Sequence, residues 1–292
     1  MATWQGRSRG NKSGYGIFVW VLKNFGVFPA YFLLRFVSFY FFLFSYTASR
    51  NTLHLYRKKL RYSWLRSIGM LYSNYYQFGM SLIDKVVVMS GMKNRFTFDF
   101  DGEEHLRKMV KDGNGGLLLS AHVGNWEIAG HLLKRLGTTI NIVMYDGEEK
   151  QIKQYLSSVT GARAVNVIVI KNDISHIYQI SEALARKELV CMHADRFVEG
   201  NKTRLVDFLG APARFPVGPF VLAGTFKVPV SFVFAMKESS LHYHFFATAD
   251  QTDATLSKSQ LADKLSVGFA KEMENKLKQY PQQWYNFYNF WQ

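Results

Sequence analysis

The chain has 292 residues, enough for one substantial domain with an appendage. Hydrophobic residues at 48% are ordinary for a globular protein, whereas aromatics at 16% are high and suit an apolar partner or a membrane interface. A formal net charge of +14 calls for an anionic partner, and the single cysteine, Cys191, excludes an internal disulfide and any cysteine-based zinc site and fits a reducing compartment.

The charge is unevenly spread. Between Met1 and Ile83 there is no aspartate or glutamate, against eleven lysines and arginines running from Arg7 to Arg66. Within this third, Gly14–Tyr46 is apolar for about the length of a membrane span, interrupted by Lys23, Pro29 and Arg35. It lacks the short apolar core and small-residue cleavage site of a signal peptide. Its aromatics and flanking cations fit an interfacial or partly inserted anchor, with a single span as the alternative. Cations flank both ends, so they assign no orientation.

The next segment, His54–Val87, reads as a basic amphipathic helix. Packing on the main domain explains its apolar stripe as well as membrane contact does. The absence of acids before Asp84 favours an anionic lipid surface, at about 1 kcal/mol per cation. Nucleic acid is not the expected partner, because no helix-turn-helix, zinc or RNA-recognition signature is present. Residues 1–90 are therefore expected to form a membrane anchor with basic amphipathic helices, and residues 91–292 the candidate catalytic domain.

From Arg95 the pattern changes. "RFTFDFDG" alternates like an edge strand, and "EEHLRKMVKDG" reads as a helix closed by Gly113. "GLLLSAH" is a fully apolar strand followed by a helix, "NWEIAGHLLKRLG", ending at Gly137. "TINIVMY", "NVIVI" and "LVCMHA" are further buried strands, with helices near Gly147–Val159 and Ile174–Arg186. Strands near Val206–Leu209, Pro229–Met236 and His242–Thr248 complete the sheet, and Ser257–Gln279 is a last helix. Apolar strands alternating with helices predict an α/β fold with a mostly parallel central sheet flanked by helices. Asp99 and Asp101 have the spacing of a haloacid dehalogenase phosphatase, but the strand alternates and Glu103 stands where a threonine is usual, so a polar strand end is the better reading.

In such sheets, sites form beyond the carboxyl ends of the strands. His122 lies at such an end, Asn125 is a helix N-cap candidate, and Glu127 falls in the first helical turn. Across a strand–turn–helix junction the chain folds back, so Glu127 is placed to hold one imidazole nitrogen while the other accepts a proton from an incoming hydroxyl or amine. The acceptor would then supply the nucleophile that a hydrolytic triad carries in the protein. A glutamate near a helix N-terminus is also favourable by some tenths of a kcal/mol up to about 1 kcal/mol for dipole reasons alone. The residue pattern by itself leaves both readings open.

"SAHVGNWE" resembles the H-x4-[DE] block of glycerolipid acyltransferases, and especially that of the late acyltransferases of lipid A biosynthesis. "MHADRFVEG", "VDFLGAPARFPVGPFVLAGTFKVPV" and "YPQQWYNFYNFW" resemble further blocks of that family in the same order, and an aromatic N-terminal anchor is usual there. The resemblance covers essentially the whole chain. It implies transfer of a fatty acyl chain from an acyl carrier protein or coenzyme A thioester to a hydroxyl or amine of a membrane lipid, on the cytoplasmic face of a bacterial inner membrane. No metal or redox cofactor is implied. His122 would be the general base and Glu127 its orienting partner, with no acyl-enzyme on Cys191.

Other residues carry two readings each. Asn125 and Trp126 either contribute to the site or cap and pack the helix, and Asp195 and Arg196 either bind substrate or form a structural ion pair. Arg163 meets a headgroup phosphate or is a solvated loop residue. Gly210, Pro216 and Gly218 shape backbone around an acyl groove, His131 is structural, and His193 beside Asp195 is a weak metal hint without a third ligand. The second half of the chain is less basic than a bis-phosphorylated sugar acceptor would suggest, which leaves aminolipid, other glycolipid or polyene pigment acceptors open. A catalytically silent membrane-binding protein and a hydrolase are the competing classes.

Overall fold

Gly26, at a φ of 83°, breaks the apolar N-terminal stretch into two helices, α1 (Lys12–Phe25) and α2 (Val27–Phe44). A backbone at that φ strains every residue with a Cβ, so the bend falls at the glycine. The computed structural model describes residues 12–145, 165–171, 173–197 and 200–291. Among these, α2 is the one helix long and apolar enough to cross a membrane. One face of α2, bearing Ala30, Tyr31, Leu34 and Ser38, is buried, while Phe32, Phe36, Phe39 and Phe44 stand exposed on the other. That arrangement is compatible with membrane association.

The single basic helix expected over His54–Val87 is in fact two. Helix α3 (Tyr46–His54) runs into one π-helical turn (Leu55–Lys59), after which Arg61 takes a positive φ and the chain re-starts as α4 (Trp64–Met89). The Ser63 side chain caps α4 by accepting from the Arg66 amide. These helices do not stand apart from the following chain: Leu55 and Tyr56 share a core cluster with Leu117 and Leu119, and Met80, Ile83 and Val87 share another with Ala235, Tyr243 and Phe245.

The expected α/β architecture is present. Strands β1 (Thr97–Asp101), β2 (Gly116–Ser120), β3 (Ile140–Tyr145), β4 (Val165–Ile170), β5 (Leu189–His193), β8 (Val230–Ser239) and β9 (His242–Ala247) form a seven-stranded sheet in the order β1-β9-β8-β2-β5-β3-β4. Every neighbouring pair is parallel except the β8–β9 hairpin. β2 is central and wholly buried, as its unbroken apolar run requires. Helices α5 (Glu103–Lys111), α6 (Trp126–Leu132) and α7 (Ser175–Ala185) connect the strands. The helix expected near 147–159 lies outside the described residues.

The strand expected at Val206–Leu209 does not join this sheet. It belongs to β6 (Thr203–Phe208), which pairs antiparallel with β7 (Ala211–Pro216) as a separate ribbon. The cause is local: Leu209 and Gly210 both take positive φ, which makes a two-residue hairpin turn. The ribbon buries Phe208 and Phe215 and leads into α8 (Gly218–Phe226), which packs on α9 (Lys258–Gln279).

Phe269 of α9 is fully buried and meets the rings of Phe215, Phe220, Phe232 and Phe234, joining ribbon, helix and sheet. Phe269→Ala is expected to destabilise the protein by about 3–5 kcal/mol, the range for a buried aromatic lost to a cavity, as read by denaturant unfolding.

Candidate active site

Strands β2 and β5 are parallel neighbours in a register that sets Ser120 opposite His193. Two residues beyond each strand end, His122 and Asp195 therefore lie side by side. Asp195 Oδ1 is 2.8 Å from His122 Nδ1, and Asp195 Oδ2 accepts the His122 backbone N–H at 3.0 Å. An ionised carboxylate only accepts hydrogen bonds, so Nδ1 carries the proton, and in the neutral ring the lone pair is then on Nε2. His122 Nε2 has no hydrogen-bond partner among the described residues.

Burial alone would raise the Asp195 carboxyl, but His122 by charge and hydrogen bond, then Arg196 and His193, hold it well below the ordinary carboxylate range. The His193 ring lies 4.2 Å from that of His122 between centroids, and 4.4 Å from Trp126. Burial, followed by the charge of His122, pushes the His193 imidazole well below its ordinary value, so it packs on the His122 ring as a neutral ring. In the sequence its position two residues before Asp195 is the one signal, a weak metal hint without a third ligand. Among the described residues no group of three His, Cys, Asp or Glu side chains is placed to hold a metal.

The loop carrying His122 is tied on every side. Ala194 donates to the Ser120 carbonyl at 2.9 Å, and Tyr285 donates to that of His122 at 3.1 Å. Val123 bridges to Trp284, Gly124 N–H donates to the Gln283 carbonyl at 2.7 Å, and Asn125 N–H to the Ala235 carbonyl at 2.7 Å. Gly124 has a φ of 70°, and a Cβ there would collide with the Ala235 carbonyl. The aromatic C-terminal block is thus the strand-like clamp on the His122 loop.

Glu127 is not the partner of His122 that the five-residue offset suggested. In the first turn of α6 its carboxylate pairs with Lys85 of α4, while Trp126 faces the His122 and His193 rings. Consecutive helical residues point about 100° apart, and here Trp126 takes the direction of His122 while Glu127 takes that of Lys85. Asn125 is the cap: its Oδ1 accepts from the Ile128 amide, and its Nδ2 donates to the Ser81 carbonyl and the Tyr243 hydroxyl. Both amide donors are engaged by the protein, which counts against a substrate-binding role.

Arg196 donates to the Tyr285 carbonyl at 2.6 Å, anchoring the C-terminal segment. Gly210 sits in the β6–β7 turn, Pro216 ends β7 and Gly218 begins α8. Among the described contacts, no hydrogen bond or ring contact joins these three to His122. Arg163 lies outside the described residues, as does the side chain of His131. Burial in β5 pushes the Cys191 thiol up to about 12, which leaves it protonated and unsuited to attack.

The carboxylate-held His122 imidazole, with its second nitrogen unbonded, lies at the carboxyl end of a central parallel strand, where sites of open α/β sheets form. The family model described as bacterial lipid A biosynthesis acyltransferase matches residues 68–292, and the chain belongs to that family. A phosphatidylinositol mannoside acyltransferase of Mycobacterium tuberculosis (strain ATCC 25618 / H37Rv) is 29% identical over 123 residues, 42% of this chain and 39% of that protein. Its counterpart from strain CDC 1551 / Oshkosh is 28% identical over the same shares. The match spans about two fifths of these relatives' length. The crystal structure of the 1-acyl-sn-glycerophosphate (LPA) acyltransferase PlsC from Thermotoga maritima is similar over 84% of this chain and 95% of its own, at 14% identity and a TM-score of 0.43.

Asp195→Asn should stay folded yet lower the turnover number by about 10²–10⁴-fold, because the tautomer is no longer enforced. Its depressed folded pKa also means that the ionised Asp195 stabilises the fold fully above its unfolded value near pH 4 and less as pH falls toward the lower folded value. The stability gap between wild type and Asp195→Asn, read by denaturation, should therefore be full at pH 7 and shrink below about pH 4. Glu127→Gln and Lys85→Gln should cause comparable losses of activity that are not additive in the double variant, as expected for one ion pair.

Proposed function

We propose that the protein moves a fatty acyl chain from an acyl carrier protein or coenzyme A thioester to a hydroxyl or amine of a lipid acceptor, with His122 as general base. The observation that carries this reading is the His122–Asp195 pair, which fixes the proton on Nδ1 and leaves Nε2 unbonded. Nε2 takes the acceptor's proton as its oxygen or nitrogen attacks the thioester carbonyl. The tetrahedral intermediate collapses, the C–S bond breaks, and the imidazolium returns the proton to the departing thiolate. Asp195 orients the ring and offsets its transient charge. The thioester is already activated, so the chemistry calls for no metal or redox cofactor.

Family membership supports a lipid acceptor, and the acceptor we propose is a lipid A precursor or a related glycolipid or aminolipid. The relatives named for a mannosylated phosphatidylinositol make a sugar-bearing lipid the favoured form. The exposed aromatic face of α2 and the cations of the acid-free first third suit an anionic membrane surface. We place the enzyme on the cytoplasmic face of a bacterial inner membrane, where acyl carrier protein and coenzyme A thioesters are found.

The test supplies radiolabelled palmitoyl-coenzyme A or palmitoyl-acyl carrier protein to purified enzyme with membrane lipids from a strain lacking the gene. Wild type should label one lipid class, and His122→Ala should lower the rate by at least about 10³-fold without loss of fold. Label appearing only as free fatty acid would instead identify a hydrolase. Undiminished transfer by His122→Ala would remove His122 from the mechanism.

A further inference from the structure

Behind the His122 loop lies a second buried polar cluster that acyl transfer does not use. Asp84 of α4 is fully buried and accepts from Lys237 Nζ of β8 at 2.5 Å and from the hydroxyls of Tyr31 on α2 and Tyr243 on β9. Lys237 Nζ also donates to the Ser240 carbonyl at 2.8 Å and to the Tyr31 hydroxyl at 3.2 Å. It lies over the rings of Tyr31, Phe96 and Tyr243. Burial pushes the Asp84 carboxyl up and the Lys237 amine down, each opposed by the other's charge. An apolar pair of the same volume would often stabilise the fold as well or better, so stability alone is a poor reason for such a pair.

Two paths run from this hub to the loop that carries the base. The Tyr243 hydroxyl accepts from Asn125 Nδ2 at 3.1 Å, and Asn125 is the residue on which the loop ends and α6 begins. On the other side, the Lys237 backbone N–H donates to Gln283 Oε1 at 2.9 Å and its carbonyl accepts from Gln283 Nε2 at 2.7 Å. The Gln283 carbonyl in turn accepts from Gly124. Adjacent loop residues, Gly124 and Asn125, are thereby referred to one buried ion pair, whose third limb is Tyr31 on the apolar helix.

We propose that Asp84, Lys237, Tyr31 and Tyr243 are positioning residues that tie the apolar helix α2 to the catalytic loop and hold His122 in line with Asp195. The proposal rests on the reading of His122 as the base. A loop displaced by a fraction of an ångström would bind both substrates normally but present Nε2 to the acceptor in the wrong place.

The test uses the full-length enzyme in the palmitoyl-thioester assay with Tyr243→Phe and Tyr31→Phe, each of which deletes one hydroxyl and keeps the ring. Tyr243→Phe should lower kcat about tenfold with KM for the thioester within about twofold. Tyr31→Phe should lower kcat about threefold, and the double variant should be no worse than Tyr243→Phe alone, because both act through Asp84. Unchanged kcat in both folded variants, or a loss matched by the unfolded fraction in thermal melting, overturns the proposal. Should Tyr243→Phe not fold, Tyr31→Phe at the far end of the hub carries the same test. An inactive His122→Ala beside unimpaired tyrosine variants defeats the hub alone, whereas an active His122→Ala defeats the base itself.

Discussion

The structure depends on the registration of β2 against β5. Because the two strands are parallel neighbours with Ser120 opposite His193, the residues two beyond each end meet, and these are His122 and Asp195. A slip of one residue would send each side chain to the other face of the sheet and separate the pair. The register is secured at the strand ends, where Ala194 N–H donates to the Ser120 carbonyl and Asp195 accepts from the His122 backbone N–H. The His122–Asp195 pair is thus a product of strand pairing, set on loops that the strand ends and the C-terminal segment tie down.

What surrounds the pair explains several features that are unrelated in the linear chain. The aromatic C-terminal segment runs beside the His122 loop and replaces a strand there, with Trp284 bridged to Val123 and Tyr285 bonded to the His122 carbonyl. Arg196, next to Asp195, secures the same segment. Helix α4 brings Lys85 to Glu127, Ser81 to Asn125 and Asp84 to the buried hub, so one long helix touches α6, its cap and the strands beneath it. The apolar α2 packs on α4 by its small and tyrosine-bearing face and shows its phenylalanines outward. A membrane-compatible surface and the His122 loop are thereby only one helix apart.

The α/β class, the mostly parallel sheet and nearly all of its strands were legible from apolar runs of strand length separated by helical periodicity. His122 was legible too, as a histidine at the carboxyl end of such a run. Its partner was not. Glu127 is close in sequence and Asp195 is distant, and only the neighbour relation of β2 and β5, which no local pattern encodes, decides between them. The β6–β7 ribbon was missed for a local reason, since Leu209 is a poor turn signal and only Gly210 hints at the hairpin. The bend at Gly26 and the break between α3 and α4 were hidden by an otherwise continuous apolar and basic pattern. The Asp84–Lys237 pair was invisible because its members are 153 positions apart and each reads as an ordinary surface charge.

The central claim is that Asp195, and not Glu127, holds the Nδ1 proton of His122. Proton NMR of the protein labelled with ¹⁵N-histidine tests it directly, through the downfield resonance of an imidazole N–H bonded to a carboxylate. The account predicts that the His122 Nδ1 proton appears in wild type, persists in Glu127→Gln and disappears in Asp195→Asn. Loss of the resonance in Glu127→Gln with its retention in Asp195→Asn would contradict it.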